Sequence, residues 1–366
     1  MKMKTGFRLP EPTGEYKVGA KSLTLRNGNR PIPVIAWYPA GDASGCALRQ
    51  YIPPQLGTEL STNTTNSYEN APFADREEAC PVLLFSHGYA MYNEANTVQM
   101  EELASRGYIV LSIGHIGEGA YLLDDGVLAQ VDAEIAGQLQ SASAGSADSY
   151  KELVASVDAG EQGYFEKLGT LLDKSAFLTG RAEVWAQDAL YVLSQLAGGT
   201  MGELSANADL SKVGAFGMSF GGAMAAHLAM SDARITAFAS LDGMLYSGRM
   251  TERIGTPSLL MQNGGEFRDY LRGFYRFSAA DACIMTFKNS AHANFTDLSV
   301  LTEPGDGEGA LPDGILGEID GAWMARRIND YLAAFFDRHL RGIFSKILET
   351  DIEDEDIAYE SRRTTG

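Results

Sequence analysis

The feature that most restricts the fold of this 366-residue chain is a series of short apolar segments separated by helix-prone ones. Each apolar segment is nearly continuous, which is typical of a strand buried on both faces of a sheet. A helix between successive strands allows them to run parallel. The segments of this kind are residues 82–85, 108–113, 213–216, 237–241, 258–261 and 283–287. The pattern predicts an α/β chain with a mostly parallel, doubly wound sheet.

Flanking and inserted segments complete this organisation within a single expected domain. Residues 22–25 and 33–37 predict two early strands joined by an Asn-Gly hairpin turn. Residues 127–178 are polar and helix-prone, are interrupted by small residues at 141–148, and predict an inserted helical cap. The alternative is a peripheral insertion with no role in function. The acidic and polar residues 350–366 are expected to form a solvated tail.

The pentapeptide Gly217-Met218-Ser219-Phe220-Gly221 lies directly between an apolar strand and an alanine-rich helix. A G-x-S-x-G pattern in that position is typical of a nucleophile elbow, in which strained backbone angles expose the serine hydroxyl. Side chains two positions before and after the serine would collide with the neighbouring strand and helix, so glycine suits both. The pattern predicts Ser219 as a nucleophile, with the positive end of the helix behind it.

A serine nucleophile needs a base, and the chain has five histidines. In this kind of fold the order along the chain is serine, acid, histidine. His292 and His339 lie far enough downstream, and of these two only His292 falls in a loop after a predicted strand. The order therefore favours His292 as the base.

Two carboxylates between Ser219 and His292 are suitably placed for the acid that orients the imidazole. Asp242 directly follows the strand 237–241, and Glu266 lies in the loop after the strand 258–261. The pattern alone leaves both open.

Acyl transfer also requires donors for the oxyanion that develops on the substrate. The backbone N–H of Phe220, which follows the nucleophile, is one expected donor. The N–H of Tyr89, in the loop after the first parallel strand, is the other.

Charge and composition narrow the class of partner. The chain has 29 Lys and Arg against 48 Asp and Glu, a net charge of −19, which disfavours nucleic acid as a partner. No apolar run is long enough to span a bilayer, and no secretory signal is visible. A cytoplasmic protein is therefore expected, and secretion after removal of a signal is the alternative. Its three cysteines are far apart, which disfavours a zinc site or a disulfide framework. We expect no metal and no cofactor.

Four motifs in this order resemble the platelet-activating factor acetylhydrolase-like branch of the α/β-hydrolases, whose bacterial members are often described as predicted dienelactone hydrolases or esterases. They are FSHGYA at 85–90, GMSFGGA at 217–223, SLDG at 240–243 and HANF at 292–295. The resemblance covers about residues 10–40 and 81–342, apart from the cap. Two departures are Met218, where the family commonly has histidine, and the Ser219 nucleophile, where true dienelactone hydrolases use cysteine.

The resemblance implies an α/β-hydrolase fold and a serine-dependent carboxylic ester hydrolase. It implies Ser219, Asp242 and His292 as the triad, which favours Asp242 over Glu266, and Tyr89 and Phe220 as oxyanion donors. It also implies that no metal is used. Short- or medium-chain acyl esters are the expected substrates. The alternatives are a thioesterase, amidase or acyltransferase on the same fold, or a non-catalytic binding protein that retains it.

Apolar residues next to these positions are the expected walls of the substrate pocket. They are Met218, Met91, Tyr92, Met244, Leu245, Tyr246 and Phe295. A small-molecule ester is the expected partner, and the sequence is compatible with a homodimer.

Overall fold

A central sheet of twelve strands is present in the described residues of the computed structural model, which are 1–57, 59–250, 252–265, 269–305 and 311–364. Its order across the sheet is β15 (Ile352–Glu353), β16 (Ile357–Arg362), β13 (Ala282–Phe287), β12 (Ser258–Asn263), β11 (Ile235–Leu241), β10 (Ala208–Met218), β6 (Cys80–Ser86), β7 (Ile109–Ile113), β3 (Arg30–Ala40), β2 (Lys17–Asn27), β5 (Thr64–Glu69) and β4 (Leu48–Gln50). Two small ribbons pair β1 (Lys2–Met3) with β14 (Thr302–Glu303), and β8 (Tyr121–Leu122) with β9 (Leu128–Ala129).

The middle of the sheet is parallel. Strands β7, β6, β10, β11, β12 and β13 all run in one direction, and β3 and β16 pair antiparallel at either side of them. These six parallel strands are the six apolar segments of the sequence, so the predicted sheet is confirmed. The hairpin between β2 and β3 pairs Asn27 with Arg30, as the Asn-Gly turn predicts.

Helices cover both faces of the sheet. Their bounds are α1 (Thr97–Ser105), α2 (Ala133–Ser156), α3 (Glu161–Lys174), α4 (Ala176–Ala197), α5 (Glu203–Ala206), α6 (Phe220–Ser231), α7 (Tyr270–Arg276), α8 (Leu298–Leu301) and α9 (Gly321–Arg341). Short 3₁₀ turns lie at Leu60–Thr62, Val157–Ala159, His292–Phe295 and Lys346–Leu348. Buried side chains of α1 and α9 pack on one sheet face, and those of α4 and α6 pack on the other. The sheet is therefore doubly wound.

The segment predicted to form a cap contains α2, α3 and the first turn of α4. The carboxylate of Asp132 caps α2 by accepting hydrogen bonds from the N–H groups of Glu134 and Ile135. Tyr164 and Leu168 of α3 are fully buried in the same apolar cluster as α4 and α6. Helix α2 runs unbroken through residues 141–148, so the expected interruption there was wrong. Alanine has the highest helix propensity, and packing of Tyr150 and Leu153 against the cluster holds the helix in place.

The expected polar tail over 350–366 differs from the structure. Ile357–Arg362 pairs antiparallel with β13 as an extra strand, and the acidic residues before it form an exposed turn after β15. Ile357 and Tyr359 are buried, with the Tyr359 ring centroid 4.7 Å from that of Tyr331 on α9. Alternate apolar residues let this segment cover the edge of β13.

Within the described part of the chain, no helix is both long and apolar enough to cross a membrane. Over the same residues, no cluster of three or more His, Cys, Asp or Glu side chains is arranged to hold a metal ion.

Candidate active site

Ser219 lies in the tight turn between β10 and α6. Its backbone has φ 55° and ψ −120°, a conformation that non-glycine residues rarely adopt. A Cβ at Gly217 would lie 2.1 Å from backbone atoms of Gly221, and a Cβ at Gly221 would lie 1.9 Å from the carbonyl oxygen of Ser86. Both glycines are therefore required by close backbone approach, as the sequence predicts.

A chain of two hydrogen bonds connects three side chains at the carboxyl edge of the sheet. The Ser219 hydroxyl lies 2.8 Å from Nε2 of His292, and Nδ1 of His292 lies 2.6 Å from Oδ2 of Asp242. The imidazole is about half exposed, at 53%, whereas the carboxylate is 7% exposed. The structure thus brings together the three residues that the sequence singles out, although His292 is 50 and 73 positions away from the other two.

Asp242 is held in place by Asn263, at the end of the neighbouring strand β12. The backbone N–H of Asn263 donates to Oδ1 of Asp242 and its side-chain Nδ2 donates to Oδ2, both at 2.7 Å. The sequence analysis did not identify Asn263. Its position at the carboxyl end of a strand beside β11 is the sequence feature that could have indicated its role. Glu266, the alternative acid, lies outside the described residues.

The two expected oxyanion donors belong to residues close to Ser219 in the structure. Phe220 is the first residue of α6, so its N–H has no acceptor within the helix. The loop of Tyr89 packs against the nucleophile, since a Cβ at Gly88 would lie 3.2 Å from Cβ of Ser219. In the described part of the chain no acceptor bonds the N–H of Tyr89, while the next N–H, that of Ala90, donates to the Glu118 carbonyl at 2.9 Å.

A network of buried hydrogen bonds involves the residues just before Tyr89 in this loop. Nδ1 of His115 donates to Oδ2 of Asp188 at 3.0 Å, and Nε2 of His115 accepts from the Ser86 hydroxyl at 2.9 Å. His87 accepts from the Tyr121 hydroxyl at 2.6 Å. Burial lowers the pKa of His87 to about 3 and also lowers the pKa of His115. Both imidazoles are therefore neutral structural groups, which agrees with excluding them as the base.

A cavity of about 330 Å³ opens beside Ser219. Among the predicted pocket residues, Met244 and Tyr246 line it, together with the Tyr89 side chain. The other predicted wall residues are placed elsewhere. Met218, Leu245 and Phe295 are buried in the apolar core, Met91 lies outside the lining, and Tyr92 packs edge-to-face on Tyr51 with ring centroids 6.2 Å apart. Sequence adjacency failed here because neighbours along a strand or loop point to opposite sides.

Several lining residues were not predicted. Leu139 and Ser143 come from α2, Leu178 from α4, and Tyr270 and Leu271 from α7. Gln262 and Asn263 at the end of β12 complete that wall. The cap sequence gave no signal for its contribution, because only the docking of the cap helices decides which of their residues face the cavity.

Comparisons with known proteins agree on one fold and one class of enzyme. A family model described as platelet-activating factor acetylhydrolase, isoform II, matches residues 49–144. Platelet-activating factor acetylhydrolase of the dog, Canis lupus familiaris, is 23% identical over 362 residues, covering 91% of this chain and 77% of the relative. The solved structure of a ferulic acid esterase from Streptomyces cinnamoneus matches with a TM-score of 0.77 at 23% identity, covering 97% of this chain and 99% of that one.

The fold, with its mostly parallel sheet and inserted helices, is the one shared with that solved esterase. The family match and the dog relative both point to ester hydrolysis. This chain therefore has the α/β-hydrolase fold and is similar to the platelet-activating factor acetylhydrolases.

Proposed function

We propose that the chain hydrolyses short- or medium-chain carboxylic esters through a catalytic triad of Ser219, His292 and Asp242. The observation that carries this proposal is the pair of hydrogen bonds, 2.8 Å and 2.6 Å long, that links the three side chains. A serine hydroxyl is a weak nucleophile until an adjacent base accepts its proton, and this geometry supports His292 as that base.

The first half-reaction forms an acyl-enzyme. Oγ of Ser219 attacks the ester carbonyl carbon while Nε2 of His292 takes the hydroxyl proton. The negative charge moves to the carbonyl oxygen, where the N–H groups of Phe220 and Tyr89 stabilise it. The tetrahedral intermediate then collapses, the bond to the alcohol oxygen breaks, and His292 gives its proton to the leaving alcohol.

The second half-reaction regenerates the enzyme. Water attacks the acyl carbon, His292 takes a proton from that water, and the acid product leaves as the proton returns to Oγ of Ser219. Asp242 orients the imidazole and stabilises its cation throughout. Asn263 acts through Asp242, since its two hydrogen bonds fix the carboxylate and occupy acceptor sites on both oxygens.

The size and lining of the cavity support a small ester. A volume of about 330 Å³ lies at the lower end of the range for small-molecule sites, roughly 300–1,000 Å³. Its described lining is mostly apolar and aromatic. The dog relative is named as an acetylhydrolase, which agrees with a short acyl group.

A fluorophosphonate probe tests the nucleophile directly. We expect covalent labelling of the wild-type protein at Ser219, with complete loss in Ser219→Ala. Ser211→Ala, at the exposed far end of the same strand, is the matched control and should label normally. Folded wild-type protein that does not label, or labelling that persists in Ser219→Ala, would refute the proposal.

A series of p-nitrophenyl esters of increasing acyl length tests the substrate range. We expect kcat/KM to be highest for short or medium acyl chains and to fall for long ones. A preference for long chains would contradict the proposed range and leave the nucleophile assignment intact.

We also infer a reducing compartment, the cytoplasm, because Cys46, Cys80 and Cys283 are free thiols. Fractionation of the producing cells tests this.

Homodimer formation stays a prediction, which light scattering on the purified protein tests.

A further inference from the structure

Gln262 presents an unused hydrogen-bond acceptor to the cavity beside Ser219. The side chain lines that cavity and is 5% exposed. Its Nε2 donates to Oγ1 of Thr286 at 2.9 Å. Its Oε1 is buried and has no hydrogen-bond partner in the described part of the chain. A buried amide oxygen without a partner is costly unless a ligand supplies a donor.

The position of Gln262 separates it from the reacting bond. Strand β12 lies two strands away from β10, which carries Ser219. Two strand spacings amount to roughly 10 Å across the edge of the sheet. Gln262 is therefore placed to contact a part of the substrate remote from the ester carbon, where a contact contributes to recognition.

The aromatic part of the same cavity lining suits a flat ring. Phe220 and Tyr246 have ring centroids 6.1 Å apart at the cavity wall, and Tyr270 forms another part of that wall. The hydroxyl of Tyr270 is used internally, since it donates to the Leu245 carbonyl at 2.9 Å. These rings pack favourably against an aromatic group through edge-to-face and offset contacts.

We propose that the ester carries a hydroxyaryl group, that this ring packs against the aromatic side chains of the cavity wall, and that its hydroxyl donates to Oε1 of Gln262. Gln262 is then the specificity-determining residue of the site. This inference rests on the proposed ester hydrolysis at Ser219 and adds the chemical class of the substrate.

Matched substrate pairs test this inference. The acyl-side pair is methyl 3-(4-hydroxyphenyl)propanoate and methyl 3-phenylpropanoate, and the alcohol-side pair is 4-hydroxyphenethyl acetate and phenethyl acetate. For the wild type we expect kcat/KM to favour the hydroxylated member of one pair by about tenfold, the worth of one good hydrogen bond. The pair that shows the preference identifies whether the acyl or the alcohol group contacts Gln262.

The variant Gln262→Met keeps the length of the side chain and removes its acceptor. We expect the preference to fall to near one in this variant. Gln50→Met, the same substitution at an exposed position of the edge strand β4, should retain the wild-type preference.

Two results would overturn the inference: equal kcat/KM within both pairs for the wild type, or a preference that survives in Gln262→Met. The wild-type comparison needs no variant, so it decides the matter even if Gln262→Met does not fold. Failure of the underlying esterase proposal looks different, because it would appear as missing fluorophosphonate labelling or as hydrolysis that persists in Ser219→Ala.

Discussion

At the scale of single residues, His292 and His227 differ in exposure and in hydrogen-bond partner. His292 is half exposed and bonded to the Ser219 hydroxyl, whereas His227 is buried on α6 and forms a 3.0 Å hydrogen bond with the Ser247 hydroxyl. Burial lowers the pKa of His227, which makes it a neutral structural group. Substituting each histidine in turn therefore distinguishes the effect of losing the proposed base from the effect of losing a buried imidazole.

We predict that His292→Asn lowers kcat/KM by about 10³-fold or more, because no group remains to accept the serine proton. His227→Asn should change kcat/KM by only a few fold. Steady-state kinetics on a p-nitrophenyl ester, with melting curves to verify folding, measure both. Comparable losses in the two variants would show that His292 is not the base.

Asn263 gives a second prediction at this scale. Asn263→Ala removes the side-chain donor that fixes Oδ2 of Asp242, so the carboxylate should hold the imidazole less well. We expect kcat to fall by about 10-fold to 100-fold, the usual effect of removing a supporting hydrogen bond. Asn207→Ala, remote from the site at the end of α5, is the control. An unchanged kcat in Asn263→Ala would show that Asn263 does not position Asp242 for catalysis.

At the scale of elements, the joint between β10 and α6 is set by backbone contact. A Cβ at Gly221 would lie 1.9 Å from the Ser86 carbonyl oxygen, and backbone atoms cannot turn aside as a flexible side chain can. Gly169, within α3, has no atom within 4 Å of the same added Cβ. The same substitution should therefore have opposite effects in the two helices.

We predict that Gly221→Ala lowers the free energy of unfolding by about 1–3 kcal/mol through overpacking and slows fluorophosphonate labelling. Gly169→Ala should raise it by about 0.5–1 kcal/mol, because alanine loses less conformational entropy in a helix. Urea unfolding measures both. A stable, fully active Gly221→Ala protein would contradict the close-contact explanation.

In the cap segment, the helices can be predicted from the sequence but their contacts with the cavity cannot. Polarity and helix propensity predict helices over 127–178, and α2 and α3 lie within that range. The contribution of Leu139 and Leu178 to the cavity does not follow, because it depends on how the cap helices dock on the sheet.

At the scale of the whole molecule, buried histidines tie stability to pH. Burial lowers the pKa of His87 to about 3 and that of His339 to about 4, and it also lowers the pKa values of His115 and His227. In the unfolded chain each would titrate near 6.5. Below that pH the unfolded state binds protons that the folded state does not, so stability falls as the pH decreases.

We predict that the free energy of unfolding falls between pH 6.5 and about 4, and that His339→Gln makes this dependence shallower by about 1 kcal/mol per pH unit. His339 is suited to the test because it lies near the end of α9, away from the cavity. Urea unfolding at several pH values measures the slope, and the difference between the two proteins cancels the contribution of the carboxylates. Identical slopes would show that His339 is protonated in the folded state.

Sequence alone determined the parallel sheet and the strand–helix turn at Ser219, and chain order singled out His292. These features depend on apolar runs, glycine spacing and the small number of histidines, which can be recognised from the sequence without knowing which distant residues are in contact. Tertiary structure decided the support of Asp242 by Asn263, the burial of Met218 and Phe295 in the core, and the pairing of Ile357–Arg362 with β13. Each of these joins residues far apart along the chain or depends on which side of an element faces the cavity, and only the packing of the assembled elements settles that.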